Sequence, residues 1–356
     1  ELFVNIKVDR EERPDVDAIY MDAVQALTGR GGWPMTVFCT PTGEPFYGGT
    51  YYPRDSFVQL MNAVDDAWKN RREELNQNVD ALIEAIGRTR NITPASEINS
   101  AELLADTLTK LENDFDPDWG GFGNAPKFPS TFALDLMLRQ HQRNGNENLL
   151  AMVRVSLDAM ASGGMYDQIG GGFARYSVDR QWLVPHFEKM LYDSAQFASL
   201  CAAVDSHLAR TCLEETLVFL ERDLLRADGL FAAALDADHP DGEGRHSTWT
   251  DAELEDALGR SDAEVWRTHL ERESRVHEGG WVLAFGPAGG TDPRHLSGFA
   301  ALRAAGLCRP LPTLDPKCIM GWNALAVTAF ADGAQLSGLP SDIERLRRLA
   351  SAHAAT

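Results

Sequence analysis

The chain has 356 residues, of which 44% are hydrophobic and 24% are charged, and its formal net charge is −20 at pH 7. This excess of carboxylates argues against a nucleic-acid partner or an anionic membrane surface, because phosphate binding depends on Lys and Arg. No stretch has the roughly 18 uninterrupted apolar residues of a membrane span. We therefore predict a cytoplasmic protein of two or three domains, with no nucleic-acid or membrane partner. Its five cysteines form no CxxC pair, which is typical of reduced thiols.

The first 30 residues predict a strand followed by a helix. Residues 3–8 alternate apolar and polar side chains, as a half-buried strand does. Apolar residues then recur at helical spacing from Val16 to Leu27, with Asp15 placed to cap the helix and Gly29 after its end.

A hairpin follows, and it is the most specific local pattern in the chain. Trp33-Pro34 precedes a β-branched and aromatic run, and residues 41–45 turn the chain back into a second strand. The pattern is typical of the cis-proline hairpin of a thioredoxin-like fold, whose free backbone edge pairs with substrate, so Trp33 and Pro34 are candidate substrate-binding residues. Cys39, in the first strand of the hairpin, is predicted to be a buried and inert thiol. Helical spacing from Phe57 to Trp68 completes a β-α-β-β-α order.

The remainder of the chain is predicted to be mainly helical. Residues 91–97 contain Thr, Pro and Ser and predict a linker between a domain at 1–90 and a domain at 98–356. Periodicity predicts helices at 99–114, 131–142, 148–161, 186–208, 213–226, 251–259, 262–273 and 319–336. Helical hairpins repeated around one core favour an α/α toroid, so the predicted fold class is α/β plus all-α.

The glycine-rich segment 163–173 is the first candidate for chemistry in the helical domain. It lacks the spacing of a phosphate-binding loop, so it is interpreted either as a tight turn that needs positive φ or as a loop that brings Tyr166 and Asp167 to a ligand cleft.

The second candidate is the helix predicted from Pro185. On it His186, Lys189, Met190 and Asp193 would share one face, and Glu188 would lie on another. His186, Glu188 and Asp193 are candidate acid–base residues, although a structural network is the alternative.

Two further groups of residues complete the candidate site. Asp236 and Asp238 follow a predicted strand and are candidates for acid and base across a glycosidic bond. The surrounding loop lacks the ligand pattern of a calcium site, and no metal or cofactor is predicted. Trp322 and Asn323 open an apolar helix and are candidates for a stacking surface and an amide that bind a sugar ring, with a buried core Trp as the alternative.

Several of these segments together resemble one known family. The matching strings are FVNIKVDREERP at 3–14, residues 31–51, GNAPKFP at 123–129, residues 163–193, ALDAD at 234–238 and residues 315–323. The chain resembles the thioredoxin-domain family of spermatogenesis-associated protein 20. The resemblance implies a partial thioredoxin-like domain followed by an incomplete (α/α)6 barrel similar to N-acylglucosamine 2-epimerases and six-hairpin glycosidases. Residues 246–249 depart from the aromatic-rich strand of that family, and its Cys-His-Trp-Cys motif would lie upstream of Glu1, so the chain is expected to be a fragment truncated at both ends.

Three functional hypotheses follow from the residues and the resemblance. The first is a carbohydrate-acting barrel, epimerase-like or glycosidase-like, with a sugar-like small molecule as ligand. The second is thiol-disulfide chemistry, which needs a thiolate opposite Pro34 that this chain does not supply. The third is a scaffold that binds a ligand without turnover. The sequence does not fix the oligomeric state.

Overall fold

The computed structural model describes residues 2–90, 98–276, 280–286 and 292–354, so the predicted linker at 91–97 lies outside the described residues. The chain divides into two compact units, residues 1–99 and residues 100–356. The first is an α/β unit and the second is mainly helical with short strands, which confirms the predicted fold class.

The first unit is built on the predicted hairpin. Its elements are α1 (Pro14–Thr28), β1 (Thr36–Cys39), β2 (Pro45–Gly49), α2 (Arg54–Asn70) and α3 (Arg72–Arg90). β1 and β2 are antiparallel with Thr36 opposite Gly49, and the Trp33–Pro34 peptide bond is cis. Phe38 and Phe46 on the hairpin pack against Val64 of α2 and Val79 of α3 to form the core of this unit.

Two expectations for this unit are wrong. Residues 3–8 do not form a strand, because the described sheet pairs only β1 with β2 and offers these residues no ladder. Phe3 nevertheless packs against Phe38, with ring centroids 5.4 Å apart. Asp15 does not cap α1, because the helix begins one residue earlier at Pro14, and the capping position is Arg13 without a side-chain hydrogen bond. Gly29 does end the helix, in the left-handed conformation at φ 74°.

The second unit begins with helices that follow the predicted spacing. They are α4 (Ser100–Asp114), α5 (Thr131–Asn144) and α6 (Glu147–Ser162), followed by the short strands β3 (Tyr176–Ser177), β4 (Pro185–His186) and β5 (Lys189–Met190). The chain then forms α7 (Leu191–Ala203), α8 (His207–Phe219), which runs into a π-helical turn at Leu220–Leu224, and β6 (Ala234–Leu235).

The predicted helix at 186–208 is wrong at its start. Pro185–His186 form β4 and Lys189–Met190 form β5, because their backbone pairs with other segments of the chain: β4 pairs with β3, and β5 pairs with β6. The apolar residues that suggested a helix there face tertiary partners instead, and the helix starts only at Leu191.

The rest of the unit consists of β7 (Trp249–Thr250), α9 (Asp251–Leu258), α10 (Arg260–His269), β8 (Gly280–Trp281), α11 (Phe299–Leu307), β9 (Leu314–Asp315), α12 (Met320–Ser337) and α13 (Pro340–Ala354), with 3-10 turns at Arg272–Ser274 and Pro293–His295. Helices α5 to α8, α12 and α13 surround one apolar core, and α7 packs against both α8 and α12. A second, smaller core forms around Trp266 from apolar residues of β7, α9, α10, β8 and α11 and of residues 283–285, and Ile169 from the glycine-rich segment closes it.

Candidate active site

The β3–β4 ladder brings together the first group of predicted site residues. Tyr176 pairs with His186, and their rings stack with centroids 4.8 Å apart. Nη1 of Arg175 donates a hydrogen bond of 2.9 Å to Oε2 of Glu188, and Nε2 of His186 lies 3.7 Å from the same oxygen. We call Arg175, His186, Glu188, Tyr192 and Asp193 the Glu188 cluster. The side chains of His186 and Glu188 are 29% and 23% exposed, so a ligand can reach both.

Asp193, in the first turn of α7, is more deeply buried than this pair and is only 5% exposed. Burial raises its pKa to about 8, against the opposing effects of the Arg175 cation and a hydrogen bond with Tyr192. Its Oδ2 has no hydrogen-bond partner among the described residues. Asp193 therefore carries a proton at neutral pH and acts on the cluster from within the core, where a substrate does not touch it.

The structure places Trp322 beside the Glu188 cluster and Asn323 inside the core. The rings of Tyr192 and Trp322 are 4.8 Å apart, so the indole is available next to the cluster. Asn323 is 1% exposed, accepts a hydrogen bond from the amide of Phe231 at 2.8 Å and donates one to the carbonyl of Phe231 at 3.1 Å. Its carboxamide joins α12 to the segment before β6, and the predicted contact with a sugar does not fit this geometry.

Asp236 and Asp238 are exposed at the end of β6. The antiparallel pairing of Lys189 with Leu235 places Glu188 and Asp236 at the same end of this ladder. The amide of Asp238 donates a 3.2 Å hydrogen bond to Oδ1 of Asp236. The two aspartates thus lie on the surface at the end of the ladder that carries Glu188, and their role across a glycosidic bond remains a prediction.

Tyr166 belongs to a different set of contacts. It is 1% exposed, and its hydroxyl donates a 2.7 Å hydrogen bond to Oε2 of Glu215 on α8. Glu215 also accepts hydrogen bonds from Arg294, at 2.7 Å, and from Arg303. Tyr166 and Glu215 therefore connect α8 to the smaller core around Trp266, which is a structural role.

Asp167 is anchored in the glycine-rich loop by three donors. Its carboxylate accepts hydrogen bonds from the amides of Ile169 and Gly170, and from Nζ of Lys189 at 2.6 Å. Burial alone would raise the pKa of Asp167, but Lys189 and the Gly170 amide lower it to about 2. The loop also needs its glycines, because Gly172 has a φ of 81° and a Cβ there would lie 2.5 Å from the ring of Phe219.

One residue with an unusual environment was not among the predicted site residues. His246 lines a cavity of about 240 Å³ together with Asp167, and its Nδ1 lies 2.8 Å from the carbonyl of Pro310. Burial and the Lys189 cation lower the pKa of His246, so the imidazole is neutral at pH 7. The sequence carries little signal for His246, since an isolated histidine without a motif is usually a surface or packing residue.

The first unit carries the other predicted binding residues. Trp33 is 53% exposed, its indole N–H donates a 2.9 Å hydrogen bond to Oδ1 of Asp17, and the guanidinium of Arg10 lies 4.2 Å above its ring. Burial raises the pKa of the Cys39 thiol, in agreement with the inert role predicted for it. Substrate binding by Trp33 and Pro34 remains a prediction. Across the described segments of both units, no helix combines the length and apolar character needed to cross a membrane.

Comparison with known proteins identifies the family. Residues 1–87 match the family model Thioredox_DsbH, described as "Protein of unknown function, DUF255". The chain is 32% identical to human spermatogenesis-associated protein 20, over 93% of this chain and 49% of the human protein. An uncharacterized protein of Caenorhabditis elegans is also 32% identical, over 98% of this chain and 54% of that protein. The chain belongs to the spermatogenesis-associated protein 20 family. It spans about half the length of these relatives of the family.

Solved structures give a weaker likeness. The cellobiose 2-epimerase of Spirochaeta thermophila is 16% identical, with a TM-score of 0.32, over 70% of this chain and 84% of that protein. A likeness at this level carries no argument about activity, so the functional conclusion below depends on the geometry of the site and on the family.

Proposed function

We propose that the second unit catalyses an acid–base reaction on a carbohydrate at the Glu188 cluster. The observation that supports this most is the half-buried pair of His186 and Glu188, whose ring nitrogen and carboxylate oxygen are 3.7 Å apart. An imidazole beside a carboxylate can remove a proton from the carbon next to a sugar carbonyl and return it, which is the chemistry of an epimerase. Trp322 supplies an aromatic face nearby for the apolar side of a sugar ring.

The groups around this pair have distinct roles in the proposal. Arg175 holds Glu188 in place as a carboxylate through the 2.9 Å hydrogen bond. Tyr176 fixes the plane of the His186 ring by stacking. Asp193 is a positioning residue: because its carboxyl is protonated, Arg175 faces one anion at neutral pH, and that anion is Glu188.

The reaction can be tested without knowing the product. The chain is incubated in D₂O with glucose, mannose, N-acetylglucosamine, N-acetylmannosamine or cellobiose, and exchange of the carbon-bound proton next to the carbonyl is followed by ¹H NMR. Exchange is expected with at least one sugar, and Glu188→Gln or His186→Gln should slow it by about 100-fold or more.

Glu112→Gln is the matched control, because Glu112 is an exposed carboxylate on α4. It should exchange at the wild-type rate. Absence of exchange with all five sugars, or equal rates in wild type and Glu188→Gln, would overturn the proposal.

A further inference from the structure

The cavity lined by His246 and Asp167 is separate from the Glu188 cluster. It has a volume of about 240 Å³ and is formed by the glycine-rich loop, the π-helical turn, the segment before β7 and the end of α11. Its polar walls come from Asp167, Arg222, Asp223, His246 and Ser247. No residue of the Glu188 cluster lines it, so an inference about this cavity does not depend on the proposed function.

Three groups on the walls have hydrogen-bonding capacity left over. The neutral His246 ring donates from Nδ1 to the Pro310 carbonyl, so its Nε2 is an acceptor. Arg222 uses Nε and Nη2 on Asp223 and on the Gly170 carbonyl, which leaves Nη1 as a donor. Three polar groups on the walls have no hydrogen-bond partner within the described residues: Nε2 of His246, Nη1 of Arg222 and the hydroxyl of Ser247.

The charges on the walls are already neutralised by protein partners. Asp167 pairs with Lys189 at 2.6 Å, and Arg222 pairs with Asp223, whose side chain is only 4% exposed. An ionic ligand would therefore find no unbalanced charge to offset its loss of hydration. A neutral ligand has no such cost.

The remaining walls are apolar. Ile169, Trp249, Leu307 and Leu311 line the cavity. Arg309 covers the Trp249 ring at 3.6 Å, which holds the indole in place. At about 240 Å³ the cavity is smaller than the roughly 300–1,000 Å³ of drug-sized ligand sites, which suits a ligand of one ring.

We infer that this cavity binds a small, neutral, polyhydroxylated molecule of monosaccharide or cyclitol size. One hydroxyl donates to Nε2 of His246 and another accepts from Nη1 of Arg222, while Ser247 serves either role. The C–H face of the ring packs against the apolar wall. This is a binding site beside the proposed catalytic one, since Lys189, which anchors its wall, directly follows Glu188 in the chain.

The test measures binding of defined probes to the whole chain by titration calorimetry. D-mannose and myo-inositol are the neutral probes, and glucose 6-phosphate is the charged one. We expect Ser247→Ala and His246→Phe each to weaken binding of a neutral probe about five- to tenfold, the loss of one hydrogen bond. Ser351→Ala, at an exposed position on α13, is the matched control and should bind as wild type does.

Glu188→Gln separates this inference from the proposed function. If it leaves binding of the neutral probe unchanged while Ser247→Ala weakens it, the cavity is the site. Binding that Glu188→Gln abolishes and that Ser247→Ala and His246→Phe do not change overturns the inference and leaves the proposed function standing. The inference is also overturned if neither neutral probe binds, or if glucose 6-phosphate binds more tightly than both neutral probes.

Discussion

The protonated carboxyl of Asp193 makes a quantitative prediction about stability. Its pKa is about 8 in the folded protein, against an ordinary value of 3.8. Between these two values the folded chain keeps a proton that the unfolded chain has released. The free energy of unfolding therefore falls as pH rises through this window, whereas an ordinary ion-paired aspartate would give the opposite sign.

The size of the effect follows from the number of protons. One proton corresponds to about 1.4 kcal/mol per pH unit, and both pH 5 and pH 7 lie inside the window. Asp193→Asn replaces the carboxyl by a neutral side chain of the same shape. The variant should gain about 3 kcal/mol of stability relative to wild type when the pH is raised from 5 to 7.

Urea unfolding at pH 5, 6 and 7, followed by circular dichroism, measures this difference. Asp236→Asn is the control, because Asp236 is exposed and a surface substitution changes stability by no more than about 0.5 kcal/mol. Parallel pH profiles for wild type and Asp193→Asn would refute the reasoning. If the stability of Asp193→Asn relative to wild type rises as the pH falls, Asp193 is a stabilised carboxylate in the folded protein.

Two further predictions concern other buried groups. Lys189→Met leaves the Asp167 carboxylate buried without its cation and should lower the free energy of unfolding, measured in urea, by about 3–5 kcal/mol. Adding Asp167→Asn should recover much of this loss. If it recovers none, the lysine stabilises the fold through the packing of its stem and not through its charge. The exposed thiols of Cys308 and Cys318 should react with N-ethylmaleimide before the half-buried Cys39, as peptide mass spectrometry after timed quenching would show; early labelling of Cys39 in native protein, with all thiols equal in urea, would contradict its inert role.

The hairpin of the first unit could be predicted because its signals are local. Pro34 has no backbone N–H to donate to a sheet, so the strand can begin only after it. The turn to the second strand contains Gly43 at φ 92°, a conformation that favours glycine. Most helices of the second unit were likewise predictable, since their apolar spacing decides their buried faces. The helix expected from Pro185 failed for the opposite reason: Pro185 and Lys189 pair with strands 8 and 46 residues away in the sequence, and periodicity contains no information about such partners.

The candidate site was predicted only in part for the same reason. His186 lies 3.7 Å from Glu188, and Trp322 packs against Tyr192, but His186 and Asp193 do not share the helix face that their spacing predicts, because the helix begins only at Leu191. The carboxamide of Asn323 is a group that often binds ligands, but here it bonds to the backbone of Phe231 and has a structural role. His246 is not predictable as a site residue, because its environment is made by Lys189 and Asp167, which are distant along the chain.

The two-residue strand β5 has a consequence for how this family can change. Glu188 contacts Arg175, whereas the next residue, Lys189, reaches the opposite set of partners at Asp167. Deletion of Phe187 would move Lys189 into the position of Glu188, so that an ammonium met Arg175, and would put Met190 in the position of Lys189, so that Asp167 lost its cation. Insertions and deletions should therefore be absent from this short segment in any descendant that folds, while the surface turn at Asp238 has room to vary in length.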